Sequence, residues 1–166
     1  MNPLPATGGT SLLVRLFPLR ADNSYGGYHL GIWFFALVAL LKAYVSLNAI
    51  FNGHTMAGSG DGIPVDTLAP AGAQAVVSLF AVWGIEHLVI CLICLLVLVR
   101  YRSLIPFLFA LLLVEHLSRT AIVHFLPLAK TGWRGESVGI SPFPYGFLVL
   151  IVIGLVLSLC RRRENG

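Results

Sequence analysis

Two Glu-His dipeptides, Glu86-His87 and Glu115-His116, stand in the middle of long apolar runs, and Lys42 and Arg119 interrupt two such runs. A charged side chain in surroundings of this kind is costly unless paired or neutralised, so intramembrane ionisable groups mark ligand sites, ion paths or proton relays. Two acids and two bases can neutralise one another, and two carboxyl groups at one depth can hold a proton between them. Glu86 and Glu115 are therefore expected to carry protons, with Lys42 and Arg119 as fixed countercharges. Arg119 follows Glu115 by four residues and His116 by three, which puts it on their side of a helix.

The imidazoles admit other chemistry. His87 and His116 on facing helices could ligate a haem iron axially, which makes a haem-binding or redox accessory subunit the alternative reading. A carboxylate di-metal centre fits poorly, because it needs Glu and His three residues apart, whereas adjacent helical residues point about 100° apart. His87, Cys91 and Cys94 share one helical stripe and could offer nitrogen and sulfur to a soft metal. Cysteine is also a common small filler of apolar helices, and these two lie in mid-helix rather than at the N-terminus that activates thiols. Packing is the expected role, and no metal site is predicted. Cys160 beside Arg161 reads as a spacer. His54, Asp61 and Asp66 fall in a glycine-rich stretch that would not preorganise them for catalysis. No catalytic residue is identified, and an enzyme is the less favoured reading.

The elements that must position these groups are membrane spans. Of 166 residues, 57% are hydrophobic and only 11% charged, against roughly 25% charged in an average soluble domain. With about 20 residues needed per span, no second soluble domain is expected in a chain of this length, and because the basic residues sit at the edges of apolar runs, nucleic-acid binding is not expected despite the net charge of +4. Three cysteines are too few for a disulfide scaffold. Apolar stretches near the ~20 residues a span requires cover residues 28–49, 71–99, 103–126 and 143–160. Asn52-Gly53 stops the first, Pro70 opens the second, Pro106 fits the opening turn of the third, and Pro127 ends it. Ser141-Pro142 opens the fourth.

Residues 1–27 read as a cytoplasmic arm, in which Leu12, Leu13, Leu16 and Phe17 could form one side of a short surface helix with Arg15 toward lipid headgroups. A disordered tail is the competing expectation. The outer loop, residues 50–70, has Gly58-Ser59-Gly60-Asp61-Gly62 at its centre and is expected to be a flexible linker. Basic residues cluster in the arm (Arg15, Arg20), the second connection (Arg100, Arg102) and the C-terminus (Arg161, Arg162, Arg163), so these belong on the cytoplasmic side. Trp33, Trp83 and Trp133 are expected as packing or interface anchors.

The expected fold is all-α: an integral membrane four-helix bundle, up-down-up-down, with both termini cytoplasmic, in a cell inner membrane. The second and third spans should pack as an antiparallel hairpin about Arg100-Tyr101-Arg102. Glu86 and Glu115 lie equidistant from that turn, as do His87 and His116, so both pairs should meet at one level, about 20 Å from the cytoplasmic end. The site so assembled is Lys42, Glu86, His87, Glu115, His116 and Arg119, which would bind a small ligand or relay protons. The partners expected are the lipid bilayer and a second copy or a larger membrane complex. A structural reading stands beside these, in which the ion pairs lock the register of an assembly protein that has no ligand.

Overall fold

The computed structural model describes residues 12–126 and 143–160, and among them there is no strand. Short α1 (Leu12–Leu16) precedes α2 (His29–Phe51); α3 (Gly53–Thr55) leads into a π turn at Met56–Gly60 and a 3-10 turn at Val65–Thr67. The long α4 (Pro70–Arg100) is joined by a 3-10 turn at Arg102–Leu104 to α5 (Ile105–Phe125), and α6 is Phe143–Leu159. Each span expected from the sequence is matched by a helix whose ends lie within two residues of the expected ones. Pro70 and Pro106 both fall in first turns, where their missing N–H costs nothing.

α2, α4 and the stretch Arg102–Phe125 are each long and apolar enough to cross a membrane, while α6 is apolar but shorter, at 17 residues. The helices are apolar around their whole circumference, and large side chains such as Trp33, Leu40, Leu79, Leu92 and Val114 are more than half exposed. Exposed apolar surface on this scale requires a lipid surround. The chain is a membrane protein.

Small residues decide which helices touch. At Gly84 an added Cβ would lie 2.8 Å from the Ser46 carbonyl oxygen and 3.1 Å from the Ala49 Cβ, so only glycine allows α4 to lie this close to α2. At Gly154 it would run into the Phe109 ring, which seats α5 on α6. Close approach through small residues is how helices associate where lipid competes for apolar contact. α4 packs along α2, α2 also along α6, and α6 along α5, whereas α4 and α5 scarcely meet. The expected packed hairpin of α4 and α5 is thus replaced by a wider gap, because glycine faces α2 from α4 while His87 and Glu115 span the space toward α5.

Phe35, Val38, Cys94, Val97, Ile105, Leu108, Phe109, Leu112 and Ile151 form one buried cluster toward the Arg102–Leu104 turn. Phe35 and Phe109 meet edge to face at its centre, with centroids 5.2 Å apart, a favoured aromatic geometry.

Two connections differ from expectation. The glycine-rich stretch is folded into helical turns, closed by Asp61 N–H to Met56 O and Ile63 N–H to Ala57 O. Ala57 and Val65 are buried, and Gly62, with a φ of 72°, reverses the chain. The glycines therefore serve a folded connection and not a free linker. In the arm, Arg15 donates to the Leu159 carbonyl at 2.7 Å, so it caps the end of α6. Phe17 packs against Phe107, with centroids 5.6 Å apart. The expectations placed on Pro127, Trp133, Ser141-Pro142 and Arg161–Arg163 lie outside the described residues.

Candidate functional site

α2 buries Gly31, Phe35, Val38, Lys42, Ser46 and Ala49 at three- and four-residue intervals. This stripe would be apolar throughout but for Lys42 and Ser46. On α4 the buried stripe is Gly84, His87, Cys91, Cys94 and Val97. His87 is therefore carried against α2 by the same face that Gly84 brings close. α5 contributes Glu115, one turn beyond buried Leu112.

The three side chains meet. Lys42 Nζ donates to Glu115 Oε2 at 2.6 Å, and His87 Nε2 lies 2.9 Å from Glu115 Oε1. The lysine side chain is 6% exposed and the carboxylate 29%, so the cluster opens at Glu115. Ser46 donates its hydroxyl to the Lys42 carbonyl at 2.7 Å.

The second nitrogen of His87 fixes the proton count. Nδ1 lies 3.0 Å from the Trp83 carbonyl oxygen, which can only accept, so Nδ1 carries a hydrogen. Nε2 faces a carboxylate oxygen, and that contact needs a proton of its own. Either His87 is an imidazolium donating to Glu115, or Glu115 is a carboxylic acid donating to neutral His87. In both cases, with Lys42 charged, the trio carries one net positive charge and one proton shared between an acid and a base at hydrogen-bond distance. That separation is within the range for direct proton transfer.

Trp83 extends the site. Its ring stands 4.3 Å from that of His87, and the Arg119 guanidinium lies over the same ring, 4.4 Å from its centroid, a cation–π arrangement. Arg119 Nη2 is 3.5 Å from Asp61 Oδ2 in the glycine-rich connection. A chain of contacts therefore runs from Asp61 through Arg119, Trp83, His87 and Glu115 to Lys42. Nearby, His54 and Asp66 form a separate exposed pair at 3.1 Å.

Of the six residues singled out in the sequence, Lys42, His87 and Glu115 are brought into direct contact, and Arg119 joins through Trp83. Glu86 is exposed on the outer side of α4, about 100° round the helix from His87, and makes no ion pair among the described residues. His116 is turned toward α6, its ring 5.7 Å from that of Phe147. The expected meeting of two Glu-His pairs becomes a single crossed pair, His87 with Glu115. His87 is thus turned to Glu115 and the Trp83 carbonyl, and His116 to α6. Cys91 and Cys94 pack beneath the site as buried thiols, and no group of three metal-ligating side chains occurs among the described residues.

Trp83 and Asp61 are the contributors that sequence reasoning missed. Trp83 lies four residues before His87, a spacing that places both on one helical face. Asp61 carried no such signal. No family model, curated protein or solved structure matches the chain.

Proposed function

We propose that the chain is a multi-pass inner-membrane protein whose Lys42–Glu115–His87 trio exchanges protons within the membrane. Glu115 and His87 hold the mobile proton between them, Lys42 is the fixed countercharge, and Trp83 with Arg119 forms the polar mouth on the side of the 53–67 connection. The reading rests on one observation: both His87 nitrogens are hydrogen-bonded, one to a carbonyl and one to a carboxylate, which requires a proton in the His87–Glu115 contact.

The helices are taken as a four-helix, up-down-up-down bundle with both termini cytoplasmic. Contacts of Gly53 with Val77, Gly84 with Ser46, Gly31 with Ser158 and Gly154 with Phe109 support alternating directions. Arg15, Arg20, Arg100 and Arg102 then gather on the cytoplasmic side. At 18.0 kDa the protein acts as a homodimer or as a subunit of a larger membrane complex.

The test is proton movement in liposomes loaded with a pH-sensitive dye, driven by a potassium diffusion potential. The wild-type protein is expected to dissipate the gradient, and Glu115→Gln to abolish this while keeping its helical circular dichroism. A folded Glu115→Gln protein that moves protons as fast as the wild type overturns the reading. Loss of the folded state in Glu115→Gln, without proton movement by the wild type, supports the register lock instead.

A further inference from the structure

Glu86 takes no part in the trio, yet it lies as deep as the trio does. α4 has 31 residues, about 46 Å at 1.5 Å per residue, and Glu86 stands one residue past the midpoint of Pro70–Arg100, Ile85. A hydrocarbon core of ~30 Å includes that midpoint wherever it falls along such a helix. Glu86 is exposed, outside the buried stripe of Gly84, His87, Cys91 and Cys94.

A carboxyl group alone in hydrocarbon is costly, because acyl chains offer it neither a hydrogen bond nor a charge. Lipid is therefore a poor cover for this position. Among the described residues, the lysine and the arginine within the spans are engaged elsewhere: Lys42 at Glu115, and Arg119 at Trp83 and Asp61. The partner of Glu86 has to come from another chain.

The neighbours of Glu86 describe that chain. Leu79, Val82, Val89, Ile93 and Leu96 are 68, 55, 52, 47 and 54% exposed, and with Glu86 they recur at alternating three- and four-residue steps. This is the seam along which two helices pair, with a single polar position that sets their register. A second copy of the chain satisfies the whole seam at once. A two-fold axis along the membrane normal keeps each residue level with its counterpart, so apolar side chains meet apolar ones and the carboxyl meets a carboxyl. A protonated carboxyl both donates and accepts a hydrogen bond, so the group is complementary to itself once the pair holds a proton.

We propose that α4 pairs with α4 of a second copy along this seam, with Glu86 hydrogen-bonded to the partner subunit's Glu86 near mid-membrane. The proposal rests on the homodimer reading above and gives it a surface. It needs nothing from the Lys42–Glu115–His87 trio.

The test uses the full chain labelled with donor and acceptor dyes at exposed Cys160, in phosphatidylcholine bilayers. Association is read by energy transfer as the protein is diluted in lipid, and a saturable dimer is expected. Glu86→Gln, whose amide also donates and accepts, should keep the dissociation constant within about threefold, while Glu86→Leu should raise it about tenfold or more. Both substitutions alter an exposed side chain, so the fold should persist, as helical circular dichroism will show. In a Cys160→Ser background, Val89→Cys should form a disulfide between copies on mild oxidation, and Leu95→Cys, on the opposite side of α4 from Glu86, should not.

Monomers at every dilution overturn the proposal and the homodimer reading together, and leave Glu86 to a foreign helix that bears a cation. A dimer that Glu86→Leu leaves unchanged, or that cross-links in Leu95→Cys rather than Val89→Cys, overturns this surface alone. Loss of the dimer in Glu86→Gln as in Glu86→Leu overturns the self-paired carboxyl in favour of an ionised Glu86 that takes a cation from the other copy.

Discussion

Toward the Arg102–Leu104 turn the helices close around Phe35, Phe109, Ile105, Ile151 and Cys94, all without solvent exposure. Toward the 53–67 connection α2 and α4 stay in close contact at Gly84, but α5 stands off from them beyond Lys42, His87 and Glu115, and every residue of α5 from Leu117 onward is exposed. The first region is held by interlocking volume, with Gly154 cut away to admit Phe109. In the second, α5 is tied to α2 and α4 through the contacts of Glu115 with Lys42 and His87. Close packing has one good solution and resists change, whereas a hydrogen-bonded cluster can shift a proton with little movement of its heavy atoms. The closed region therefore fixes where the open one places its groups. Regions with few buried apolar contacts are also the ones that open locally.

The contrast can be broken at either end. Phe109→Ala empties the centre of the closed region and is expected to cost about 3–5 kcal/mol, read by denaturant unfolding in mixed micelles; proton movement in the folded fraction should persist. Lys42→Met leaves the proton-holding pair without its fixed countercharge, and Glu115→Gln leaves Lys42 as a buried, unpaired charge. The second should cost about 3 kcal/mol or more, and the double variant Lys42→Met/Glu115→Gln should recover much of that loss. A double variant no better than the single would show that the trio is not coupled as described.

Gly154→Ala forces a methyl into the Phe109 ring and should destabilise by about 1–3 kcal/mol, visible as a lower unfolding midpoint. Arg119→Gln removes an exposed ion pair and a cation–π contact and should change stability by about 1 kcal/mol or less. Its effect should fall instead on the rate at which protons reach His87, measured in the liposome assay. The smallest effect belongs to Asp22, whose carboxyl lies below its ordinary value when folded, chiefly through the hydrogen bond from the Ser24 side chain. Its contribution is present in full above the unfolded value of roughly 3.9 and is lost as pH falls through the lower folded value. Asp22→Asn should thus alter the unfolding midpoint at neutral pH slightly and leave it unchanged at strongly acidic pH.

The long helices were legible because their apolar runs have the length a bilayer demands in three cases, and Pro70, Pro106 and Asn52-Gly53 mark their ends. The level of the site was legible too: residues 87 and 115 are each fourteen positions from Tyr101. Which member of each Glu-His pair faces inward was harder to read, because helices apolar on every side give no amphipathic stripe. On α4 a subtler stripe existed. Gly84, Cys91 and Cys94 are small and share His87's face, and small residues mark a helix–helix contact in a membrane. On α5 the buried Leu108, Phe109 and Leu112 lead equally to Glu115 and His116, so only the packing against α6 separates them. The helical turns of the glycine-rich connection depend on burying Ala57 and Val65, contacts that composition does not reveal.

The most direct test of the shared proton is infrared difference spectroscopy of the protein in lipid bilayers across a pH titration, comparing the wild type with Glu115→Gln and His87→Gln. A carboxyl signal that titrates in the wild type, disappears in Glu115→Gln and shifts in His87→Gln is the predicted result. A Glu115 carboxylate that stays ionised throughout, with no change when His87 is replaced, would contradict the account and leave the trio as a fixed tie between helices.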